Sequence, residues 1–138
     1  MIILDTNVLS EVMKVSPSPR VVEWWNSHPE DELYLTSITQ AEILTGIELL
    51  PKGKLRAAIA EAAETTFRED FTARILPFDG EAAGEFARIV AARRKLGRPI
   101  SQPDAQIAAI ARNCGAVLAT RNTEDFEHCG IKLANPWA

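Results

Sequence analysis

Two kinds of apolar segment alternate along this chain, and their alternation restricts the fold more than any other feature. Ile2–Leu4, Leu33–Leu35, Ile75–Leu76 and Val117–Ala119 are short, β-compatible and bounded by polar or turn residues. Longer stretches with helical spacing lie between them. That order predicts the α/β class: βα units and a mainly parallel sheet covered by helices. Leu133–Asn135 reads as a last short strand.

The helical stretches carry start and stop signals. Ser18 followed by Pro19 reads as an N-cap with proline at the first helical position, and Pro29 lies past that helix's end. Thr39 opens a second helix, with Ile43, Leu44, Ile47 and Leu50 spaced for one face and Pro51-Lys52-Gly53 as its stop. An alanine-rich stretch runs from Lys54 to about Asp70. Asp79 caps a helix ending at Gly97, and Ser101 or Gln102 opens one ending at Asn113–Gly115. The chain has no internal repeat, low-complexity tract or long linker. Its 138 residues are expected to form one domain, 1–138, with a core large enough to need no disulfide or structural metal.

The apolar run Met1–Leu4 stops at Asp5, and no later run approaches the roughly 18 residues of a membrane span. No basic residue precedes Asp5, so the N-terminus does not read as a secretory signal, and a cytoplasmic protein is expected. Cys114 and Cys129 then read as two small core residues rather than a bridge. A formal net charge of −4 argues against a general nucleic-acid coat protein. It leaves nucleic-acid enzymes open, because bound divalent cations supply positive charge locally.

Polar residues fall where apolar strands end or helices begin. Asp5 follows Ile2–Leu4. Glu42 lies in the first turn of the helix after Leu33–Leu35. Asp104 lies in the first turn of the helix after Ser101-Gln102-Pro103. Arg121-Asn122 and Glu124-Asp125 follow Val117–Thr120. In a parallel sheet these positions share one edge, the edge where α/β ligands bind. Each also fits a local role. Thr6 and Asn7 suit helix caps after Asp5, Thr39-Gln40-Ala41-Glu42 matches a capping box, and Asp104 suits a helix dipole.

Jointly the acids point to a cation. Two carboxylates about 5 Å apart at an effective dielectric near 20 repel by roughly 3 kcal/mol, so a cluster is tolerable with a divalent ion inside. Hard oxygen donors suit Mg²⁺ or Mn²⁺. His28 and His128 are isolated, and the cysteines lack zinc-site spacing.

The order and spacing of four blocks resemble PIN-domain proteins. The blocks are Met1–Ser10 (MIILDTNVLS), Thr36–Ile43 (TSITQAEI), Asp104–Ala109 (DAQIAA) and Ala119–Phe126 (ATRNTEDF). The nearest group is the VapC-type toxins of bacterial toxin–antitoxin pairs, with the related FitB-like members. The resemblance implies a three-layer α/β/α sandwich and a small Mg²⁺-dependent endoribonuclease. It also implies a homodimer held inactive by a cognate antitoxin, which in turn binds operator DNA. Asp5, Glu42 and Asp104 correspond to the family's first three acids, with Asp5 and Asp104 as metal ligands. Many relatives carry aspartate where this chain has Asn122. Asp125, three residues on, is the alternative source of the fourth carboxylate. Thr6, Asn7 and Thr120 are candidates to orient these groups.

Arg93, Arg94, Lys95 and Arg98 form a basic cluster near a helix end. It suits either the helix dipole or contacts to RNA phosphate or antitoxin. Trp24 and Trp25, being adjacent, point different ways: one into the core, the other toward a dimer or antitoxin surface. Two rival functions fit parts of the pattern. An aspartyl-phosphate phosphatase wants a second aspartate where Asn7 stands. A catalytically weak module would act by binding an antitoxin and, with it, operator DNA.

Overall fold

A computed structural model of the chain describes residues 1–138. Five strands form one sheet: β1 (Ile2–Leu4), β2 (Leu33–Thr36), β3 (Ile75–Leu76), β4 (Val117–Ala119) and β5 (Lys132–Ala134). Their order is β3-β2-β1-β4-β5, and all four pairings are parallel. Parallel neighbours need long crossovers. Six helices lie in the first three connections: α1 (Thr6–Val12), α2 (Pro19–Asn26), α3 (Ser37–Glu48), α4 (Lys54–Thr65), α5 (Gly80–Lys95) and α6 (Gln102–Cys114); the β4–β5 connection carries only a 3-10 turn.

The layering follows from the two-residue period of a strand. Ile3 and Leu118 point to one face, where they pack with Ile89 of α5 and Ile107 and Ile110 of α6. Leu4 and Ala119, one residue on, join the opposite cluster with Val8, Val21, Ile47 and Phe67. Each fully buried Leu, Ile or Phe contributes about 1.5–3 kcal/mol. One face is therefore covered by α5 and α6 and the other by α1 to α4, which makes the three-layer α/β/α sandwich.

Several local expectations hold. Pro19 stands at the start of α2, Asp79 caps α5 through the Ala82 N–H, and Ser101 caps α6 through the Asp104 N–H. Gly115 closes α6 in the left-handed region at φ 63°, where glycine carries no Cβ penalty.

Others are corrected. α3 begins at Ser37 and is capped by Thr36, whose hydroxyl accepts the Thr39 N–H. Thr39-to-Glu42 is therefore no capping box, and Glu42 lies in the second turn. The alanine-rich helix ends at Thr65 and gives way to a π-helical turn, Thr66–Asp70, that buries Phe67. The last strand lies one residue earlier than expected. Cys129 is buried, but Cys114 is exposed. Trp25 packs edge-on against Phe71 and Trp24 lies over His28; both are half-buried, so neither is wholly core or wholly surface.

The chain builds the sheet outward from β1 through β2 to β3, then returns to add β4 and β5 on the other side of β1. The reversal point is the crevice beyond β1 and β4. Open α/β sheets bind their ligands at such a point.

Candidate active site

Asp5 and Thr120 are the first residues past β1 and β4, so both open onto this crevice. Asp5, rather than Thr6 or Asn7, is the N-cap of α1, and its Oδ1 accepts the Thr6 N–H at 2.8 Å. Its Oδ2 accepts the Thr120 hydroxyl, also at 2.8 Å. The residue is only 6% exposed. Burial pushes its pKa up to about 6; the bonds from Thr120 and Thr6 work against the rise, and the charges of Asp104 and Glu42 add to it.

Glu42 projects from α3 into solvent, and its Oε1 accepts the Thr6 hydroxyl at 2.8 Å. Asp104 is half-buried at the start of α6. Burial raises its pKa as well; the Ser101 hydroxyl opposes the rise, while the charges of Asp125 and Glu42 reinforce it. Asp125 is exposed on the 3-10 turn Thr123–Phe126 that follows β4. All four carboxylates thus share one electrostatic neighbourhood at one end of the sheet.

Their spacing differs from the tight cluster expected. No three His, Cys, Asp or Glu side chains form a ready-made metal cage. Desolvation, not mutual repulsion, is the largest cause of the raised Asp5 and Asp104 pKa values. Spreading the acids, and leaving Glu42 and Asp125 in water, avoids most of the repulsion a compact cluster would suffer.

The matched family model is the PIN domain, over residues 2–132. The chain belongs to the PIN-domain family. Among curated PIN-domain relatives, the toxin FitB of Neisseria gonorrhoeae is 39% identical, over 99% of both chains. VapC ribonuclease Y4jK of Sinorhizobium fredii is 38% identical, over 99% of this chain and 98% of its own. A solved structure of FitAB bound to an IR36 DNA fragment superposes with a TM-score of 0.94 at 38% identity, covering 100% of this chain and 96% of that one.

Within this PIN domain, Thr120 and Asn7 tie the two sides of the crevice together. The Asn7 side-chain amide donates to Thr120 Oγ at 3.4 Å, and its Oδ1 accepts the Arg121 N–H at 3.3 Å. Asn122 donates its backbone N–H to Thr120 Oγ at 3.1 Å. Its side chain is exposed and caps nothing.

The basic cluster divides. Arg94 and Lys95 are exposed at the end of α5, and Arg98 pairs with Glu127 at 3.1 Å. Arg93, by contrast, is 4% exposed and cannot meet an RNA phosphate. Its guanidinium donates to the carbonyls of Arg98, Asp125 and Glu127. It therefore fixes the turn that carries Asp125. Sequence reasoning missed this role, and it missed the cap at Thr36 by reading Thr39 as the helix start; both threonines are fully buried. A threonine at a strand's last position, just before a helix, is a recognisable N-cap signal. A buried arginine leaves no comparable trace.

The charged donors are all carboxylate oxygens; the one sulfur near Asp104, Cys129, is buried and engaged by Arg93. Mg²⁺ is usually held by one or two carboxylates and keeps several waters. Spaced carboxylates, one of them buried without a cationic side chain against it, fit a hydrated hard cation of that kind. They do not resemble a closed nitrogen–sulfur zinc site.

Proposed function

We propose that this chain is the toxin of a toxin–antitoxin pair and a metal-dependent endoribonuclease acting through residues 1–138 as one PIN domain. The observation that carries the reading is Asp5. A carboxylate 6% exposed, placed at the topological reversal of a parallel sheet and raised in pKa by the charges of Asp104 and Glu42 as well as by burial, has a chemical use beyond capping α1. The names of the relatives, a ribonuclease and a toxin, support the same reading.

Asp5 and Asp104 would hold Mg²⁺ or Mn²⁺. When bound, the cation would supply an activated water and neutralise charge on the phosphate oxygens. The protein's own groups do the rest. Thr6 and Thr120 hold Asp5 in one orientation. Glu42 commits Oε1 to Thr6 and keeps Oε2 free to orient the attacking water and take its proton. Asp125, on the turn fixed by Arg93, completes the acidic edge, with Asn122 as the neutral alternative. Arg94 and Lys95 remain free to meet RNA phosphate or an antitoxin. With water as nucleophile, the RNA 2′-hydroxyl takes no part, and products carry 5′-phosphate and 3′-hydroxyl ends.

The partners in this reading are a cognate antitoxin and operator DNA reached through it, as the FitAB complex on DNA supports, and a second copy of the chain, as the family resemblance implies. The likeness to FitAB on DNA also favours a second reading, in which antitoxin and DNA binding is the main role and catalysis is weak. No helix is long and apolar enough to cross a membrane, in line with action in the cytoplasm. The test is cleavage of a structured RNA pool under Mg²⁺ titration, with end-group analysis. Cleavage that requires the cation and leaves 5′-phosphates is expected. Cleavage leaving 2′,3′-cyclic phosphates, or unaffected by chelation, would overturn the mechanism. No cleavage at any concentration would leave the binding module.

A further inference from the structure

Glu42 is exposed yet held, and what holds it reaches into the core. We propose that Thr39, backed by Thr36, is a positioning residue that fixes Glu42 through a one-way chain of hydroxyl protons. The inference rests on the ribonuclease reading for its activity readout only.

The chain has four links. Thr36 Oγ accepts the Thr39 backbone N–H at 3.1 Å. The Thr36 hydroxyl donates to Thr39 Oγ at 3.5 Å. Thr39 Oγ lies 2.9 Å from Thr6 Oγ, and the Thr6 hydroxyl donates to Glu42 Oε1 at 2.8 Å. Thr36 and Thr39 are both 0% exposed, so water cannot satisfy either hydroxyl.

Direction follows from counting protons. A hydroxyl has one proton to give. An ionised carboxylate accepts only, so the Thr6 proton goes to Glu42. Thr6 Oγ must then accept from Thr39, and Thr39 in turn accepts from Thr36. Reversing the sequence would aim Thr6 lone pairs at the carboxylate and leave Glu42 Oε1 without its donor from the protein. The buried pair therefore commits Thr6 to Glu42. Neighbouring donors in such a chain polarise one another and strengthen the last bond. A free glutamate side chain has up to about 2 kcal/mol of rotamer entropy at its disposal. The fixed donor holds the carboxylate by Oε1 instead.

Placement supports the assignment. The chain joins the end of β2, the first turn of α3 and the first residue of α1, all on the Glu42 side of the crevice. Capping α3 requires only the Thr36–Thr39 N–H bond. A hydroxyl on Thr39 adds nothing to that cap.

Thr39→Val keeps the shape and the cap and removes the hydroxyl; Thr39→Ser keeps the hydroxyl. Thr39→Val is expected to lower kcat on RNA about tenfold, in the range seen when an outer partner of a catalytic group is lost, at unchanged KM. Thr39→Ser should restore kcat to nearly that of the unsubstituted protein. In a Glu42→Ala background Thr39→Val should cost nothing further. The second readout needs no catalysis: carboxyl ¹³C NMR of the metal-free protein, where the Glu42 signal should move in Thr39→Val and not in Thr39→Ser. If Thr39→Val fails to fold, Thr39→Cys, a weak donor of similar size, replaces it. An unchanged Glu42 signal, or the same loss of kcat with and without Glu42, overturns the proposal. Should the unsubstituted protein fail to cleave RNA, the ribonuclease reading falls and the carboxyl signal alone decides the proton chain.

Discussion

The two flanks of the acidic edge carry similar charge and very different support. On the β1 side, both oxygens of Asp5 accept hydrogen bonds at 2.8 Å, and Glu42 is held by Thr6. On the α6 side, Asp104 has Ser101 as its hydrogen-bonding side chain, and Asp125 stands in water with its position set through the main chain by Arg93. Burial explains the contrast. A carboxylate taken out of water must be hydrogen-bonded or lose several kcal/mol, whereas an exposed one is already satisfied by solvent. The β1 flank is thus built before any ligand arrives, and the α6 flank can settle around what arrives.

The comparison can be broken most directly by catalysis. Asp5→Asn should reduce RNA cleavage on the order of a thousandfold, because it removes the proposed metal ligand, worth several kcal/mol in the transition state. Asp125→Asn, on the adaptable flank, should cost only about tenfold. Equal losses in a single-turnover assay would show that the flanks do not differ in function.

Titration sharpens it next. Asp5 has a pKa of about 6 in the folded, metal-free protein, against 3.8 for an ordinary aspartate. The fold therefore holds this proton more tightly than the unfolded chain does. That contribution to stability is fully present below about pH 4 and is lost as pH rises through about 6, a change of about 3 kcal/mol at most. Urea melts of metal-free protein between pH 4 and 7.5 should show this loss relative to Asp5→Asn, which cannot titrate there. Parallel pH profiles for the two proteins would mean that Asp5 is better solvated than its burial indicates.

Metal linkage gives the smallest difference. Mg²⁺ at a hundred times its Kd should stabilise the protein by about 2.7 kcal/mol, read as a higher melting temperature. Asp104→Asn should shrink that rise without abolishing it, since the β1 flank is intact. An undiminished rise would remove Asp104 from the ligand set.

What the sequence discloses depends on whether the cause is local. Ile2–Leu4 and Val117–Ala119 are legible as strands because Asp5 and Thr120 end them and Gly115 sets off the second, and Asp79 and Ser101 are legible as caps because capping acts over three residues. The four acids stand out because strand ends and helix starts are countable. The order β3-β2-β1-β4-β5 is not legible, since nothing in a strand two to four residues long names its neighbour. Thr39 looks like a helix start until Thr36 is seen to cap it. Lys54–Asp70 reads as one helix because alanine spacing does not register the π turn that buries Phe67. Arg93 sits in a row of basic residues, and only contacts 32 and 34 residues away separate it from them.

That arginine has a consequence for how freely this end of the molecule can be altered. Because the turn from Thr123 to Phe126 hangs from Arg93 by peptide oxygens, its location is specified by atoms every residue possesses. The outward side chains of Glu124 and Asp125 can be exchanged without moving the platform beneath them. A scaffold of this type separates where a group stands from what the group is, so the rim of the crevice can be re-equipped for a different target one residue at a time.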